Sequence, residues 1–270
     1  MAEEKKLELI QVGEDPCRFV ARLPDLDVPI RRIFNFKWLL KTLRSKKMGL
    51  LAPHTWEDPR EDLTALCMLD GFRLTPRKGQ TSLALYLAPV WSQCWSLNPG
   101  SDTLLRAYSH VKKHKKTRRN IRRQNEGVAV TTTVRKLLAA AEGWNRDGAN
   151  CHVVVGRVEY LDDKEIQQRI VNACNGEYGP QFFSTVRGRA DSLMWKRNYF
   201  HQEDEVRLLL IGREWDRKAT SPSVRNMRVD PDTLFTSISV DPRLEPFEAN
   251  EREIELGRVP INGIPKAARF

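Results

Sequence analysis

The stretch from residue 196 to residue 210, KRNYFHQEDEVRLLL, constrains the fold more than any other part of this chain. Its second half predicts a β-strand, because apolar residues alternate with Glu205 and Arg207. The same alternation places Glu203 on the face of those two charges, with about 7 Å between neighbours. Two interpretations are open. The strand is half exposed and its charges form a structural ion pair, or the acids converge on a cleft where the arginine orients one of them.

Composition restricts the class of protein. The 270 residues are enough to bury a core without a stabilising disulfide or metal, and 40% hydrophobic with 30% charged residues is typical of a soluble globular protein. No apolar run is long enough to span a bilayer, and the opening MAEEKKLEL carries acids where a signal peptide would be basic and then apolar. Five scattered cysteines without a CxxC pair favour free thiols. We therefore expect a cytoplasmic protein with no membrane partner and no metal.

Proline positions and hydrophobic periodicity divide the chain into two parts. Pro16, Pro24 and Pro29 interrupt the first 29 residues, which predicts an N-terminal leader over 1–29 and a single domain over 30–265. Within that domain, short apolar runs outnumber the helical patterns that could serve as crossovers between parallel strands. The sequence therefore predicts an α+β fold, with a mixed, mostly antiparallel sheet and packed helices.

The basic residues are concentrated in one segment, HVKKHKKTRRNIRR at 110–123, which has no acid and contributes +8 of the net charge of +10. It is either a solvated arm or an electrostatic contact for the phosphates of RNA, DNA or another anionic partner, including a ribosome-associated target. Tyr108 is its one aromatic neighbour, so no base specificity is predicted. The candidate nucleic-acid-binding residues are Lys112, Lys113, Lys115, Lys116, Arg118, Arg119, Arg122 and Arg123.

Several motifs occur in the order found in a known bacterial family. Over about residues 30–265 the chain resembles the domain-of-unknown-function 2971 family and related abortive-infection proteins. It departs from the family at Leu105, where members carry Trp, and at 110–125, where members have only a few residues and this chain has a basic insertion. The motifs are WEDPRED at 56–62, QCWS at 93–96, LLRAYS at 104–109, GVAVTT at 127–132, GRVEY at 156–160, KRNYFHQEDEVRLL at 196–209 and SISVDP at 237–242.

The layout is also similar to that of ADP-ribosyltransferases. A basic residue, Arg31 or Arg32, lies on a first short strand, a helix and a small strand follow, and an acid pair spaced i, i+2 begins a late strand. The resemblance implies an ADP-ribosyltransferase-like fold, NAD as substrate, and an effector of phage defence or of a toxin system. Cleavage of the nicotinamide–ribose bond develops positive charge on the ribose, which a fixed carboxylate stabilises.

The same resemblance implies a role for each candidate residue. Glu205 is the catalytic acid and Glu203 assists it by hydrogen bonding or deprotonating the acceptor. Arg207 orients Glu205, and Arg32 binds the pyrophosphate or a ribose hydroxyl. Trp95, Tyr108 or Trp56 offers a surface on which nicotinamide stacks, although such aromatic side chains are more often core residues than cofactor platforms.

Two other functions fit the sequence. The chain could be a non-enzymatic module that binds nucleic acid through residues 110–123, with the acids as ion pairs on a sheet. It could also be a nuclease that holds a metal ion through Asp58, Glu61 and Asp62. A concave pocket containing Glu205, Arg32 and an aromatic side chain favours the enzyme over the module.

Overall fold

A ten-stranded β-sheet forms the centre of the protein in this computed structural model, which describes residues 7–56, 58, 61–62, 88–98, 100–175, 182, 185–213 and 222–259. The strands are β1 Ile10–Gln11, β2 Arg18–Ala21, β3 Pro29–Asn35, β4 Lys47–Leu51, β5 Val90–Ser96, β6 Gly127–Thr133, β7 Cys151–Arg157, β8 Glu159–Leu161, β9 Trp195–Arg197, β10 Glu205–Gly212, β11 Val224–Arg228 and β12 Ser237–Val240. The helices are α1 Phe36–Ser45, α2 Asp102–Tyr108, α3 Val134–Trp144, α4 Asp163–Asn175, α5 Val186–Ser192, α6 Pro231–Leu234 and α7 Pro246–Gly257.

The order of the strands confirms the predicted fold class. The sheet runs β1-β2-β7-β10-β5-β3-β6-β12, β4 pairs with β5 and β11, and β8 pairs with β9 separately. Within the described strands of the large sheet, only β2 and β7 are parallel. The protein is therefore a single α+β domain with a mixed, mostly antiparallel sheet. Among the described residues, no helix combines the length and apolarity needed to cross a bilayer.

Three helices begin at residues whose side chains cap the first turn. The side chain of Asn35 accepts a hydrogen bond from the Lys37 amide at 3.1 Å and begins α1. Ser101 begins α2, and Thr133 begins α3, each by accepting a hydrogen bond from an amide three residues further on. These side chains satisfy backbone donors that a helix leaves open at its first turn. The sequence also predicts a turn at 56–62 that leads into a helix to about residue 70, and this stretch lies mostly outside the described residues.

The sheet begins well before residue 30, where the domain was expected to start. β1 and β2 pair with each other, and β2 extends the large sheet by pairing in parallel with β7. Val20 and Ala21 are buried in the cores on the two faces of the sheet. The prolines at 16 and 24 flank this short strand instead of interrupting it, so the residues between them are free to form a ladder.

β10 is central rather than half exposed. Val206, Leu208 and Leu210 face the main core, as the alternation predicts. The opposite face carries Glu205 and Arg207, and further along it packs in a second core against residues of α5 and the turn after it. The expectation of an exposed face is therefore wrong, because β10 lies between β7 and β5 and its charged face is covered as well.

Candidate active site

A cleft of about 950 Å³ opens beside β5. β5 pairs with β3 only between Arg31 and Ser96, and with β4 only between Leu51 and Ser92. Between those two points the edge of β5 is left open, and the cleft forms there. Its lining includes Arg31, Arg32, Trp56, Glu61, Cys94, Trp95, Tyr108, Lys196, Glu203 and Glu205.

Five of the six candidate catalytic and cofactor-binding residues line this cleft. They come from β3, β5, α2, β10 and the turn before β10, and they are Arg32, Trp95, Tyr108, Glu203 and Glu205. The sixth, Arg207, is fully buried beside Glu205 on the same strand face. The structure thus provides the concave pocket with Glu205, Arg32 and an aromatic side chain that distinguishes an enzyme from a flat binding surface.

At one end of the cleft, Glu205 is held by two cations. It is 2% exposed, and its carboxylate accepts hydrogen bonds from Arg207 Nε at 2.7 Å and from Lys196 Nζ at 3.0 Å. Its amide donates to the Tyr160 hydroxyl at 2.8 Å. Burial alone would raise the pKa of Glu205, but Arg207 and then Lys196 outweigh it and hold that pKa well below the usual range. Glu205 is therefore a fixed negative charge at neutral pH.

Two of the residues at this end were not assigned to the acid site from the sequence. Lys196 Nζ also lies 2.7 Å from Glu203 and 3.1 Å from Glu61, so it contacts three carboxylates. Glu61 in addition pairs with Arg207. The two residues belong to the motifs at 196–209 and 56–62, but the spacing of the motifs does not reveal that they meet. Three carboxylates face two cations, which leaves one negative charge in excess.

Glu203 differs from Glu205 in conformation and in acidity. The two were expected on one strand, but Glu203 ends a 3₁₀ turn over Asn198–Glu203, and Asp204 has a left-handed backbone with φ of 40°. Asp tolerates that conformation, and its carboxylate pairs with Arg157 at 2.7 Å. Both glutamates still converge on Lys196. Burial raises the pKa of Glu203, so the pKa values of the two glutamates are shifted in opposite directions.

The lining of the cleft also has a basic part, formed by Arg31 and Arg32. Arg32 donates to the Cys94 carbonyl oxygen at 2.5 Å, and its Nε has no hydrogen-bond partner among the described residues. Burial lowers the pKa of Arg32, which Cys94, Tyr108 and Glu205 partly oppose. Arg31 stands opposite Ser96, which in turn stands opposite Glu205, so these three residues form one row across three strands. The site can therefore contact an anion and a developing cation together.

The aromatic candidates offer unequal surfaces. Tyr108 is 55% exposed, which sets it apart from an ordinary core residue. Trp56 is partly buried, and the Arg207 guanidinium lies 4.5 Å from the centre of its ring. Trp95 is only 2% exposed, packs edge-on against Phe34, and donates to Gln93. Tyr108 is thus the most accessible of the three to a ligand.

The acids proposed for a nuclease are each directed at a cation. Asp58 pairs with Arg197 at 2.6 Å, and Asp62 lies 3.5 Å from Arg189. Glu61 belongs to the cluster around Lys196. In the described part of the chain, no three metal-ligating side chains are grouped to hold an ion.

The basic segment is an ordered hairpin whose side chains are mostly exposed, so it is solvated but is not a free arm. Lys113 and Asn120 form a β-bridge, and the chain turns over residues 115–117. The hairpin packs on α7, whose acids are more than 120 residues away in the sequence. Its ion pairs are Lys113–Glu245, Arg118–Glu245, Arg119–Glu251 and Arg123–Glu255.

Comparisons with known proteins do not assign a family. No protein-family model matches the sequence, so the resemblance to the domain-of-unknown-function 2971 family is not confirmed by one. No curated protein matches it either. DarT of Thermus sp. 2.9 in complex with ADP-ribosylated single-stranded DNA superposes with a TM-score of 0.37 at 12% identity, covering 92% of this chain and 97% of that one. The NAD⁺ complex of the same protein gives 0.33 at 12% identity, covering 90% and 96%. Both TM-scores lie below 0.5, so these likenesses carry no weight here.

Proposed function

We propose that this protein is an NAD-dependent, ADP-ribosyltransferase-like enzyme and that its cleft binds NAD as substrate. One arrangement supports this function above all. The cluster of Glu61, Glu203 and Glu205, with its excess negative charge, lines the same cleft as Arg31 and Arg32. NAD also carries charges of both signs, because a cationic nicotinamide ring is joined through ribose to an anionic pyrophosphate.

The chemistry follows from the position of the charges. The bond between the ribose C1′ and the nicotinamide nitrogen breaks, and both of its electrons leave with the nicotinamide, which becomes neutral. The positive charge that develops on the ribose lies beside Glu205, a carboxylate that Arg207 and Lys196 keep ionised and fixed. Because Glu205 is already oriented, it needs no reorganisation during the reaction.

The second half of the reaction needs a base. A nucleophilic atom of the acceptor forms the new bond to C1′, and its proton passes to a nearby group. Glu203 fits this role, because it lines the cleft, is less buried than Glu205, and has a pKa that burial raises above its usual value. The role of Lys196 is to hold both acids in place at 2.7 and 3.0 Å.

The arginines and the aromatic side chains of the cleft would bind the remainder of the substrate. Arg32 has a buried Nε–H without a partner among the described residues, which suits an anionic oxygen. Tyr108, and to a lesser extent Trp56 and Trp95, would stack on a planar ring. A role as an effector in phage defence or in a toxin system is part of this proposal and rests on the family resemblance alone.

Binding of NAD tests the cleft directly. Replacing Arg32 with Met retains most of the volume but removes the charge, so the affinity for NAD should fall about tenfold or more, since a hydrogen bond to a charged group contributes roughly 1.5–3 kcal/mol. Isothermal titration calorimetry measures the change. Arg228→Ala is the matched control, because that arginine is 73% exposed and lies outside the cleft lining. Absence of NAD binding by the unmodified protein, or an equal loss in both variants, would refute the proposal.

A further inference from the structure

The eight cations of the hairpin fall into two sets of four. The inward set pairs with the acids of α7 and its N-cap, and consists of Lys113, Arg118, Arg119 and Arg123. The outward set is exposed, and none of its members has a carboxylate within ion-pair distance among the described residues. It consists of Lys112, Lys115, Lys116 and Arg122.

Side-chain alternation at the β-bridge separates Lys112 from Lys113. Lys113 bridges Asn120, which is buried against α7, where its amide donates to Glu248 at 2.8 Å. The neighbouring pair, in which the Ile121 amide donates to the Lys112 carbonyl, points the opposite way because side chains alternate along a strand. Ile121 is accordingly 51% exposed. Lys115 and Lys116 lie in the turn at the tip.

Buried hydrogen bonds and an ion pair anchor the hairpin beneath the outward set. Asn120 also donates to Glu126 at 3.0 Å, and Glu126 forms a buried pair with Arg252 of α7 at 2.6 Å. At the base of the hairpin, the buried Ser109 hydroxyl donates to Asp241 and accepts from the Gly127 amide. Anchored cations lose less conformational entropy on binding than cations on a free arm.

We propose that the outward set is a binding surface for the phosphate backbone of a nucleic acid, separate from the cleft. Four exposed and unneutralised cations within eleven residues form a local positive potential, and lysine is well suited to phosphate as a point charge. Residues 109–126 contain no Phe, Tyr or Trp side chain on which bases would stack, so we expect no base specificity. A membrane surface is disfavoured, because Ile121 is the one large apolar side chain exposed on the hairpin.

The test compares variants with equal loss of charge. Lys112, Lys115, Lys116 and Arg122 are replaced with Ala in the full chain, and binding to random-sequence duplex DNA, single-stranded DNA and RNA is followed by fluorescence anisotropy at several salt concentrations. Four phosphate contacts correspond to a salt slope of about 3.6 on duplex DNA. The variant should lose most of that slope and roughly a hundredfold in affinity at low salt, equally for all sequences.

The control replaces four exposed cations on other elements, Lys47, Arg146, Lys164 and Arg187, and removes the same charge. It should bind about as tightly as the unmodified protein. The outward variant should also retain the unmodified unfolding temperature, which shows that the hairpin is intact. The proposal is overturned if the unmodified protein does not bind nucleic acid, if the outward variant binds normally, or if both sets weaken binding equally. It is also overturned if the outward set is required only for vesicles containing phosphatidylserine.

Discussion

The ion pair between Glu205 and Arg207 is buried, which changes what a substitution there is expected to do. Arg207 is fully buried, and its guanidinium also donates to the Leu193 carbonyl at 2.7 Å. An exposed pair on a sheet contributes little, since solvent screens it. A buried pair behaves differently, because removing one partner leaves an uncompensated charge in a medium of low polarity.

Replacing Glu205 with Gln should therefore lower the free energy of unfolding by about 3–5 kcal/mol. Urea denaturation at pH 7 measures the loss. The matched control is Asp102→Asn, which removes one carboxylate from an ion pair in which both side chains are more than 60% exposed, and it should change stability little. Equal stability of the two variants would show that the buried ion pair contributes no more to the free energy of unfolding than an exposed pair does.

The pH dependence of this difference has a definite sign. The pKa of Glu205 lies below its value in the unfolded chain, so the folded state favours the ionised form. The contribution to stability is complete above the unfolded value of about 4.3 and is lost as the pH falls through the folded pKa. The gap between the unmodified protein and Glu205→Gln should therefore be constant from pH 7 to about pH 5 and shrink in more acidic solution.

The helix α5 leads directly into β9, which carries Lys196, and α5 contains a carboxylate in an unfavourable position. Asp191 is 8% exposed, its nearest cation Arg22 is 3.9 Å away, and burial raises the pKa of Asp191 to about 6. The other charged groups facing it are Arg169, which lowers this pKa, and Glu159, which raises it. The segment that positions Lys196 thus contains a buried acid that is costly to ionise.

Asp191→Asn should stabilise the protein in neutral solution and not in acid. Because the folded pKa is above the unfolded value of about 3.9, ionisation of Asp191 destabilises the folded state progressively as the pH rises from about 4 through 6. A rise of the pKa of Asp191 to about 6 corresponds to a loss of up to about 3 kcal/mol in the free energy of unfolding at pH 8. Urea denaturation of the variant and of the unmodified protein at pH 4 and at pH 8 measures the difference in stability at each pH. Lower stability of the variant at pH 8 would show that attraction to Arg22 dominates instead.

Features that depend on neighbouring residues could be predicted from the sequence. Features that depend on residues far away in the sequence could not. The alternation in β10 and the cap at Asn35 are local, and both are found. The docking of the hairpin on α7 was missed, because it depends on acids such as Glu251 that lie far away in the sequence. The burial of Glu205 was missed for the same reason, since charges on a strand are indistinguishable from solvent-facing ones until the covering elements are known.

The assembly of the cleft depends on the strand order of the whole sheet. β5 is flanked by β10 on one side, and by short contacts with β3 and β4 on the other. This arrangement places Arg32 from the start of the chain near Glu203 and Glu205 from its last third. The sequence suggested these residues as a set, and the structure brings them to one cleft. Only the structure shows that Glu61 and Lys196 also belong to this cluster, because no sequence spacing connects residues so far apart.

The central claim is that the charge of Glu205 drives cleavage of NAD in this cleft. Release of nicotinamide from NAD, measured per folded molecule by chromatography, tests it most directly. Glu205→Gln should release nicotinamide roughly 100-fold more slowly, the scale of removing one preorganised electrostatic group, while NAD still binds. Leu138→Ala controls for stability, because Leu138 is buried in the core outside the cleft lining and its truncation costs about 2–5 kcal/mol. That variant should release nicotinamide at nearly the unmodified rate. The claim is contradicted if the unmodified protein releases none, if Glu205→Gln is as fast, or if Leu138→Ala is equally slow.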